Sequence, residues 1–160
     1  LKKEKILKTI NKFKGLKYRQ QIVFDKNNLT IINDSKSTSL ASSENLLKNF
    51  KGVYWILCGI PKKGDKFNLT KSQCKNFKGY IFGKYYKQFS KHFKNKLITK
   101  KFNNLKHTLN QIFLEIKNNK RKKYTILFSP AGASFDNFKN FEERGFYFNQ
   151  TIKKYLNAKR

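Results

Sequence analysis

The chain has 160 residues, which is enough for one domain with a hydrophobic core and too few to suggest two. Hydrophobic residues make up 38% of it and aromatic residues 16%, which excludes a disordered tail even though 29% of the residues are charged. The formal net charge of +28 would suit a nucleic-acid-binding protein, but only four of the 37 basic residues are Arg and the lysines occur in nearly every segment, so a solvated lysine-rich surface is favoured.

The first residues have the pattern of a helix that enters from an earlier part of a structure. The chain begins with Leu1 and contains no Met, so we expect an upstream segment to be missing. Apolar side chains recur on one helical face at Ile6, Leu7, Ile10 and Phe13. We expect residues 1–14 to be the end of a preceding domain or a linker helix, and residues 15–160 to form one domain.

Extended and helical segments alternate along the rest of the chain. We predict strands at residues 21–24, 29–33, 53–59, 80–82, 97–100 and 124–128. We predict helices at residues 40–50, 69–77 and 105–118, and a last helix that begins near Phe138. The first two strands are separated by turn residues and predict a hairpin. This alternation is typical of an α/β fold, with a Rossmann-like, mostly parallel sheet of about six strands and flanking helices.

Three loops that follow predicted strands are the candidate sites of chemistry. They are residues 33–39, 58–66 and 129–135, called here the first, second and third loops. In an open parallel sheet a ligand lies beyond the carboxyl ends of the strands. We therefore expect any binding site of this chain to be built from these loops.

The first loop reads Asn-Asp-Ser-Lys-Ser-Thr-Ser and opens a helix. Free N–H groups at a helix N-terminus, together with the Lys36 ammonium and nearby hydroxyls, would suit a carboxylate or a phosphate. The alternative is that Ser37, Thr38 or Ser39 caps the helix and that Asp34 forms a turn. From this loop alone the capping role is favoured.

The second and third loops contain Gly and Pro. In the second loop, Lys62 or Lys63 could reach an anion or be solvated. In the third, small residues let a ligand approach the backbone, and Ser134 offers a hydroxyl. A hydrolase is not indicated, because neither His92 nor His107 lies in a strand-end loop. The chain contains neither G-x-x-x-x-G-K-[ST] nor G-x-G-x-x-G, so it has no evident phosphate-binding loop and does not match a dinucleotide-binding domain.

The two cysteines give a further indication. Cys58 and Cys74 lack the spacing of a zinc site and are too few for a disulfide framework, which favours a reducing, cytoplasmic setting. No apolar stretch approaches the length of a membrane span. We therefore expect neither a metal site nor a membrane partner.

Four motifs together resemble a known family. They are residues 13–19 (Phe-Lys-Gly-Leu-Lys-Tyr-Arg), 32–38 (Ile-Asn-Asp-Ser-Lys-Ser-Thr), 59–67, and 129–136 (Ser-Pro-Ala-Gly-Ala-Ser-Phe-Asp) with 138–145 (Phe-Lys-Asn-Phe-Glu-Glu-Arg-Gly). Their order and separation resemble the third, C-terminal domain of the D-glutamate-adding Mur ligases, and the first motif is similar to the hinge into that domain. The resemblance covers nearly the whole chain, and the last motif is its most specific part.

The resemblance implies an ATP-dependent ligase of peptidoglycan precursor synthesis that joins D-glutamate to UDP-N-acetylmuramoyl-L-alanine in the cytoplasm. In that family a substrate carboxylate is phosphorylated, and the D-glutamate amine then attacks the acyl phosphate. ATP and Mg²⁺ would be bound mainly by a central domain that this chain lacks. The chain would close over that site, would act in a monomer and would be inactive alone, with no catalytic residue of its own.

Matched position by position, the resemblance assigns D-glutamate binding to Lys36, Thr38, Lys63, Ser134, Phe135 and Phe141. Lys62 is an alternative to Lys63, because the second loop differs in length from the family by one residue. Nucleotide contacts fall on Arg19 and on Asp34, the latter through ribose hydroxyls. Separated cationic and hydroxyl donors are what a dianionic amino acid requires.

Some residues depart from the usual family pattern. These are Tyr18 in place of His, Ser39 in place of Asn, Cys58 in place of a second Gly, and Gly132 in place of Cys. The alternative function is a basic nucleic-acid-binding α/β module, which would bind DNA or RNA with a steep salt dependence. Nothing in the sequence resembles a helix-turn-helix, an RNA-binding aromatic pair or a zinc finger.

Overall fold

A computed structural model describes residues 15–119 and 123–157. The predicted helix at residues 1–14 lies outside the described residues. The elements in chain order are β1 (Gln21–Lys26), β2 (Leu29–Asn33), α1 (Leu40–Leu47), β3 (Val53–Leu57), β4 (Ile60–Pro61), β5 (Phe77–Phe82), α2 (Tyr86–His92), β6 (Ile98–Phe102), α3 (Leu105–Lys117), β7 (Tyr124–Phe128), β8 (Gly132–Ala133) and α4 (Phe141–Asn157).

Six strands form the main sheet in the order β1-β2-β7-β3-β5-β6. The β1–β2 pair is an antiparallel hairpin, as predicted, and all the other neighbours in this sheet are parallel. The predicted Rossmann-like, mostly parallel sheet of about six strands is therefore confirmed. Because β2, β7 and β3 are adjacent, the loops that leave them emerge side by side at one edge of the sheet.

The central strand β3 explains why the sheet needs helices on both faces. All five of its residues are buried, so it is a continuous apolar run and not an alternating one. Its odd-numbered residues, among them Trp55, pack with α1 and α2. Tyr54 and Ile56 pack on the other face with α3 and α4. Each helix covers the sheet with its apolar side, which buries two hydrophobic layers around one sheet.

Several predicted boundaries move by a few residues, and one predicted helix is wrong. Residues 69–77 contain no helix: residues 71–76 form turns, and Phe77 pairs with Val53 as the first residue of β5. The short helix α2 was not predicted; Phe89 is its one fully buried residue, so it has little apolar periodicity. The predicted helix 40–50 ends earlier, at Leu47, where the N–H of Lys48 closes the last turn on Glu44.

The last helix begins at Phe141 and not near Phe138. The Asn140 side chain accepts a hydrogen bond from the N–H of Glu143 at 2.8 Å and so caps the helix at this point. The acidic Glu142 and Glu143 in its first turn interact favourably with the helix dipole. None of the helices in the described part of the chain combines the length and the apolarity needed to cross a bilayer.

A single carboxylate carries both ion pairs found among the described residues. Glu115 in α3 lies 2.6 Å from the Lys78 ammonium and 2.8 Å from that of Lys100. The Tyr80 hydroxyl and the Gln111 amide donate to it as well. Burial raises the pKa of Glu115, but these four hydrogen bonds outweigh burial and lower the pKa from 4.5 to about 2.

We predict that Glu115→Gln destabilises the fold by about 1–3 kcal/mol at neutral pH, because two lysines lose their counter-charge in a mostly buried position. Since the folded pKa is depressed, the stabilisation by Glu115 is present above pH 4.5 and is lost as the pH falls towards 2. Urea denaturation from pH 7 to pH 3 should show that the free energies of unfolding of wild type and Glu115→Gln converge as the pH falls. The exposed Glu142→Gln is the control, and an equal stability of Glu115→Gln and wild type at pH 7 would refute the prediction.

Candidate functional site

The three strand-end loops meet around one buried side chain, Arg144 of α4. Its guanidinium is fully inaccessible to solvent. Nε donates to the Ser35 hydroxyl at 3.1 Å and Nη2 donates to the Ser35 carbonyl at 2.7 Å. Nη1 donates to the Gly132 carbonyl at 2.8 Å. One cation thus joins the last helix to the first and third loops.

The second loop reaches the same junction through glycine. Strands β4 and β8 pair antiparallel, with Ile60 opposite Ala133. A Cβ atom at Gly59 would lie 2.3 Å from the Ala133 carbonyl oxygen and 2.9 Å from Nη1 of Arg144, and its φ is +90°. Only glycine allows this approach. The sequence did not predict this small sheet, because its pairing depends on a contact between distant loops.

Burial changes the protonation chemistry at this junction. It lowers the pKa of Arg144, an effect that the nearby Cys58 and Asp136 oppose. Burial also raises the pKa of the Cys58 thiol to about 12, against the effect of the neighbouring Arg144 charge. The thiol is therefore protonated at neutral pH, and Cys58 is a packing residue in contact with the guanidinium. Both cysteines are free and buried.

A chain of buried hydroxyls connects the first loop to the end of β7. The Ser43 hydroxyl contacts those of Ser37 at 2.7 Å and Ser129 at 2.8 Å. Ser129 donates to the Asp34 carboxylate at 3.1 Å, and the carbonyl of Ser129 accepts from the Trp55 indole at 2.7 Å. Burial raises the pKa of Asp34, although hydrogen bonds from the Gln20 N–H and Ser129 and the charge of Arg19 act against that change.

Residues 15–20, the hinge segment, are tied to the first loop. The Tyr18 carbonyl accepts from the Lys36 N–H at 3.0 Å, and the Gln20 N–H donates to Asp34 at 3.1 Å. Tyr18 and Gln20 have φ angles of 61° and 50°, in the left-handed region that most residues avoid. The Tyr18 ring lies against Gly145 of α4. These contacts hold the backbone of the hinge segment in place.

Two cations flank the aromatic ring of Phe141. The Lys36 ammonium lies 4.2 Å from the ring centroid and the Arg19 guanidinium lies 6.0 Å from it. Both side chains are exposed, and a cation over an aromatic face is attracted by the ring quadrupole. The Phe141 carbonyl accepts from the Ser35 hydroxyl at 2.8 Å, so the ring is held beside the first loop. The structure thus brings together three of the residues that the sequence analysis singled out.

The remaining predicted site residues lie around this cluster. Ser134 is buried directly after β8, and its carbonyl accepts two backbone hydrogen bonds. Phe135, the next residue, is 72% exposed. Thr38 is exposed just ahead of α1, and Lys62 and Lys63 are exposed in the second loop. That loop is fixed to the start of α1, where the Asp65 carboxylate accepts from the Leu40 N–H.

Ser39 has the capping role that the sequence allowed. Its hydroxyl accepts from the Ser42 N–H and the Ser42 hydroxyl completes a capping box. Arg144, Ser35 and Ser129 were not predicted as organising residues. Arg144 belongs to the most specific sequence motif, and this position was the one available sign of its importance. A motif does not show, however, that the guanidinium is buried.

The fold and these loops define a class: a Rossmann-like α/β domain whose three strand-end loops meet on one face, around Arg144. No protein-family model matches the chain. The UDP-N-acetylmuramoylalanine–D-glutamate ligase of Petrotoga mobilis is 40% identical over 155 residues, which are 94% of this chain and 35% of that protein. Proteins of the same name from Wolbachia (of Brugia malayi) and Rickettsia prowazekii are 36% and 32% identical, and cover 88% and 97% of this chain.

The chain therefore belongs to the Mur ligase family, as a homologue of the C-terminal domain of the D-glutamate-adding enzymes. It spans about a third of the length of the curated relatives it matches. The resemblance inferred from the loop motifs is confirmed.

Two departures from the usual family pattern lie opposite each other. A Cβ atom at Gly132 would lie 2.7 Å from the Cys58 carbonyl oxygen and 3.0 Å from the Gly59 carbonyl carbon. A cysteine at position 132 is therefore incompatible with the present course of the second loop. The cysteine in this chain stands instead at position 58, where it contacts Arg144.

We predict that Arg144→Lys destabilises the fold by about 2–4 kcal/mol, because one ammonium cannot reach Ser35 and Gly132 together and buried carbonyls lose their donor. Urea denaturation measures the loss, and amide hydrogen exchange should show faster exchange in the first and third loops. Arg19→Lys, at an exposed site, is the matched control. Wild-type stability in Arg144→Lys would contradict the organising role of Arg144.

We predict that Gly132→Cys costs about 1–3 kcal/mol by overpacking, and that adding Cys58→Gly restores part of this loss. A glycine at position 58 would give the second loop the backbone freedom to move away from the new side chain. A double-mutant cycle by urea denaturation tests the coupling. Cys74→Ser is the control partner because it also changes a buried cysteine; purely additive effects of the changes at positions 58 and 132 would contradict the prediction.

Proposed function

We propose that this chain is the D-glutamate-binding domain of an ATP-dependent ligase that joins D-glutamate to UDP-N-acetylmuramoyl-L-alanine. The observation that carries the proposal is the junction at Arg144, which gathers three loops with exposed cations and hydroxyls at the carboxyl ends of neighbouring strands. The relatives are named for the joining of D-glutamate to UDP-N-acetylmuramoylalanine, which supports the same substrates. A binding face of this kind is half of a pocket, completed by other polypeptide.

The D-glutamate carboxylates are assigned to donors that leave different loops. Lys36 and Thr38 would contact one carboxylate from the first loop, and Ser134 would add a hydroxyl from the third. Lys63, or Lys62 in its place, would supply a second cation from the second loop. Two negative groups on a short ligand are best matched by donors that are fixed at a distance from each other, which the junction at Arg144 provides.

The aromatic residues would form the walls of the pocket. Phe141 already contacts the Lys36 ammonium, so its ring both restricts that side chain and offers an apolar surface to the ligand methylenes. Phe135 is exposed beside Ser134, as expected of a side chain whose contacts are made by a ligand or by another domain.

Nucleotide contacts are assigned to Arg19 and Asp34. The Arg19 guanidinium is exposed and would face an anionic or aromatic part of the nucleotide. Each Asp34 oxygen accepts one internal hydrogen bond, which leaves capacity for a ribose hydroxyl at the same carboxylate. Asp34 as a whole is 7% exposed, so this contact would be made at the outer edge of the residue.

The ATP phosphates and Mg²⁺ are assigned mainly to a central domain outside this chain. Among residues 15–119 and 123–157 no group of three His, Cys, Asp or Glu side chains is arranged to hold a metal ion. In the proposed reaction ATP converts a substrate carboxylate into an acyl phosphate, and the D-glutamate amine displaces phosphate from it. This domain would position D-glutamate and exclude water from the acyl phosphate.

The domain alone would not turn over substrate, because it supplies binding groups and no phosphate-binding loop. We place the enzyme in the cytoplasm, as a monomer. The relatives give no support to the alternative of a nucleic-acid-binding module, since the three described above are all named as ligases.

We predict that Lys36→Ala raises the KM for D-glutamate by about tenfold to a hundredfold and leaves the KM for ATP within about twofold, because a charge-assisted hydrogen bond to one substrate is lost. The assay uses this chain fused to the remaining part of the Petrotoga mobilis ligase and follows D-glutamate-dependent phosphate release. Lys154→Ala, on the exposed face of α4, is the matched control. Equal increases in both KM values would count against the proposal.

A further inference from the structure

A groove with an apolar floor lies away from the strand-end loops, where β5 and β6 begin. Its volume is about 700 Å³, and its floor is formed by Cys74, Phe77 and Leu97. Ile98 lies at its edge and is 70% exposed, an unusual position for a large aliphatic residue. The groove opens at the margin of the sheet, because β6 is the last strand in the sheet order.

The rim of this groove is basic. Four of the ten residues that line it are lysines and none is acidic. Lys78 is paired with Glu115, and Lys96 donates to the Phe67 carbonyl at 2.6 Å. The side-chain ammonium groups of Lys71 and Lys75 make no hydrogen bond or ion pair with another described residue, so their charges are available to a ligand.

The outer edge of β6 offers backbone groups beside the groove. Its inner edge is paired with β5 from Ile98 to Phe102, and no strand of the described residues pairs with its outer edge. An exposed edge can add a strand from another chain, with main-chain hydrogen bonds for affinity and side-chain pockets for specificity. Lys100 and Lys101 extend the basic character of the rim along this strand.

We propose that this groove and the edge of β6 form a docking site for an acidic, extended segment of a partner polypeptide that inserts an apolar side chain. Charge complementarity selects the partner, because every charged side chain of the rim is positive and the floor is apolar. A nucleic acid would match the charge of the rim but would not use the apolar floor or the strand edge. A second copy of this chain would bring lysines against lysines, which disfavours edge-to-edge pairing.

The test uses the 160-residue chain and a fluorescein-labelled peptide of alternating Glu and Val residues, titrated by fluorescence anisotropy. We expect saturable binding that is lost with alternating Glu-Ser and Lys-Val peptides, because the first lacks apolar side chains and the second has the wrong charge. Lys71→Glu with Lys75→Glu should weaken binding more than about tenfold, and Ile98→Ser severalfold.

Matched controls change the same chemistry elsewhere on the surface. Lys153→Glu with Lys154→Glu alters the net charge equally on α4, and Leu114→Ser removes an exposed apolar side chain from α3. Both should leave the affinity within about twofold. Absence of binding, equal binding of the Glu-Ser peptide or of single-stranded oligothymidine, or equal effects of the groove and control variants would each overturn the proposal.

Discussion

The structure depends on one buried cation that is hydrogen bonded at every nitrogen of its guanidinium. A buried charge is costly unless all its donors are satisfied, and Arg144 meets that condition only when Ser35 and Gly132 are both in place. The first and third loops are therefore constrained together, and Gly59 brings the second loop into the same contact. The positions of the proposed ligand-binding side chains follow from this constraint, although none of those side chains touches Arg144 in the described hydrogen bonds.

The sequence predicted the sheet well because its strands are short apolar runs bounded by turn residues, a signal that survives burial on both faces. It also predicted α3, whose buried residues recur at helical spacing. It failed at residues 69–77, which form turns and the start of β5, and at α2, a seven-residue helix. In both segments too few residues are buried for a periodic pattern to distinguish helix from loop. Pairing of β4 with β8 could not be predicted, since two-residue strands have no periodicity and are formed by tertiary contacts.

For the candidate site, the rule that ligands lie beyond the carboxyl ends of parallel strands indicated three loops, and the structure brings these loops together at Arg144. The resemblance supplied candidate roles, such as D-glutamate binding by Lys36, and these stay predictions. The organising residues were harder to identify, because the sequence does not show whether an arginine side chain is buried or solvated. Likewise, the seven residues from Asn33 to Ser39 include four hydroxyl side chains and one amide. Their internal roles, such as the contact of Ser37 with Ser43 of α1, depend on how the loop packs against that helix.

The contact between the hinge segment and the first loop has a consequence for how ligand affinity can evolve. Tyr18 is hydrogen bonded to the backbone of Lys36, and Gln20 to the carboxylate of Asp34, while both hinge residues occupy a restricted backbone region. A substitution at position 18 or 20 that relaxes this backbone would move the Lys36 ammonium without changing any side chain of the proposed ligand site. Affinity at that proposed site would thus depend also on residues that make no contact with the ligand.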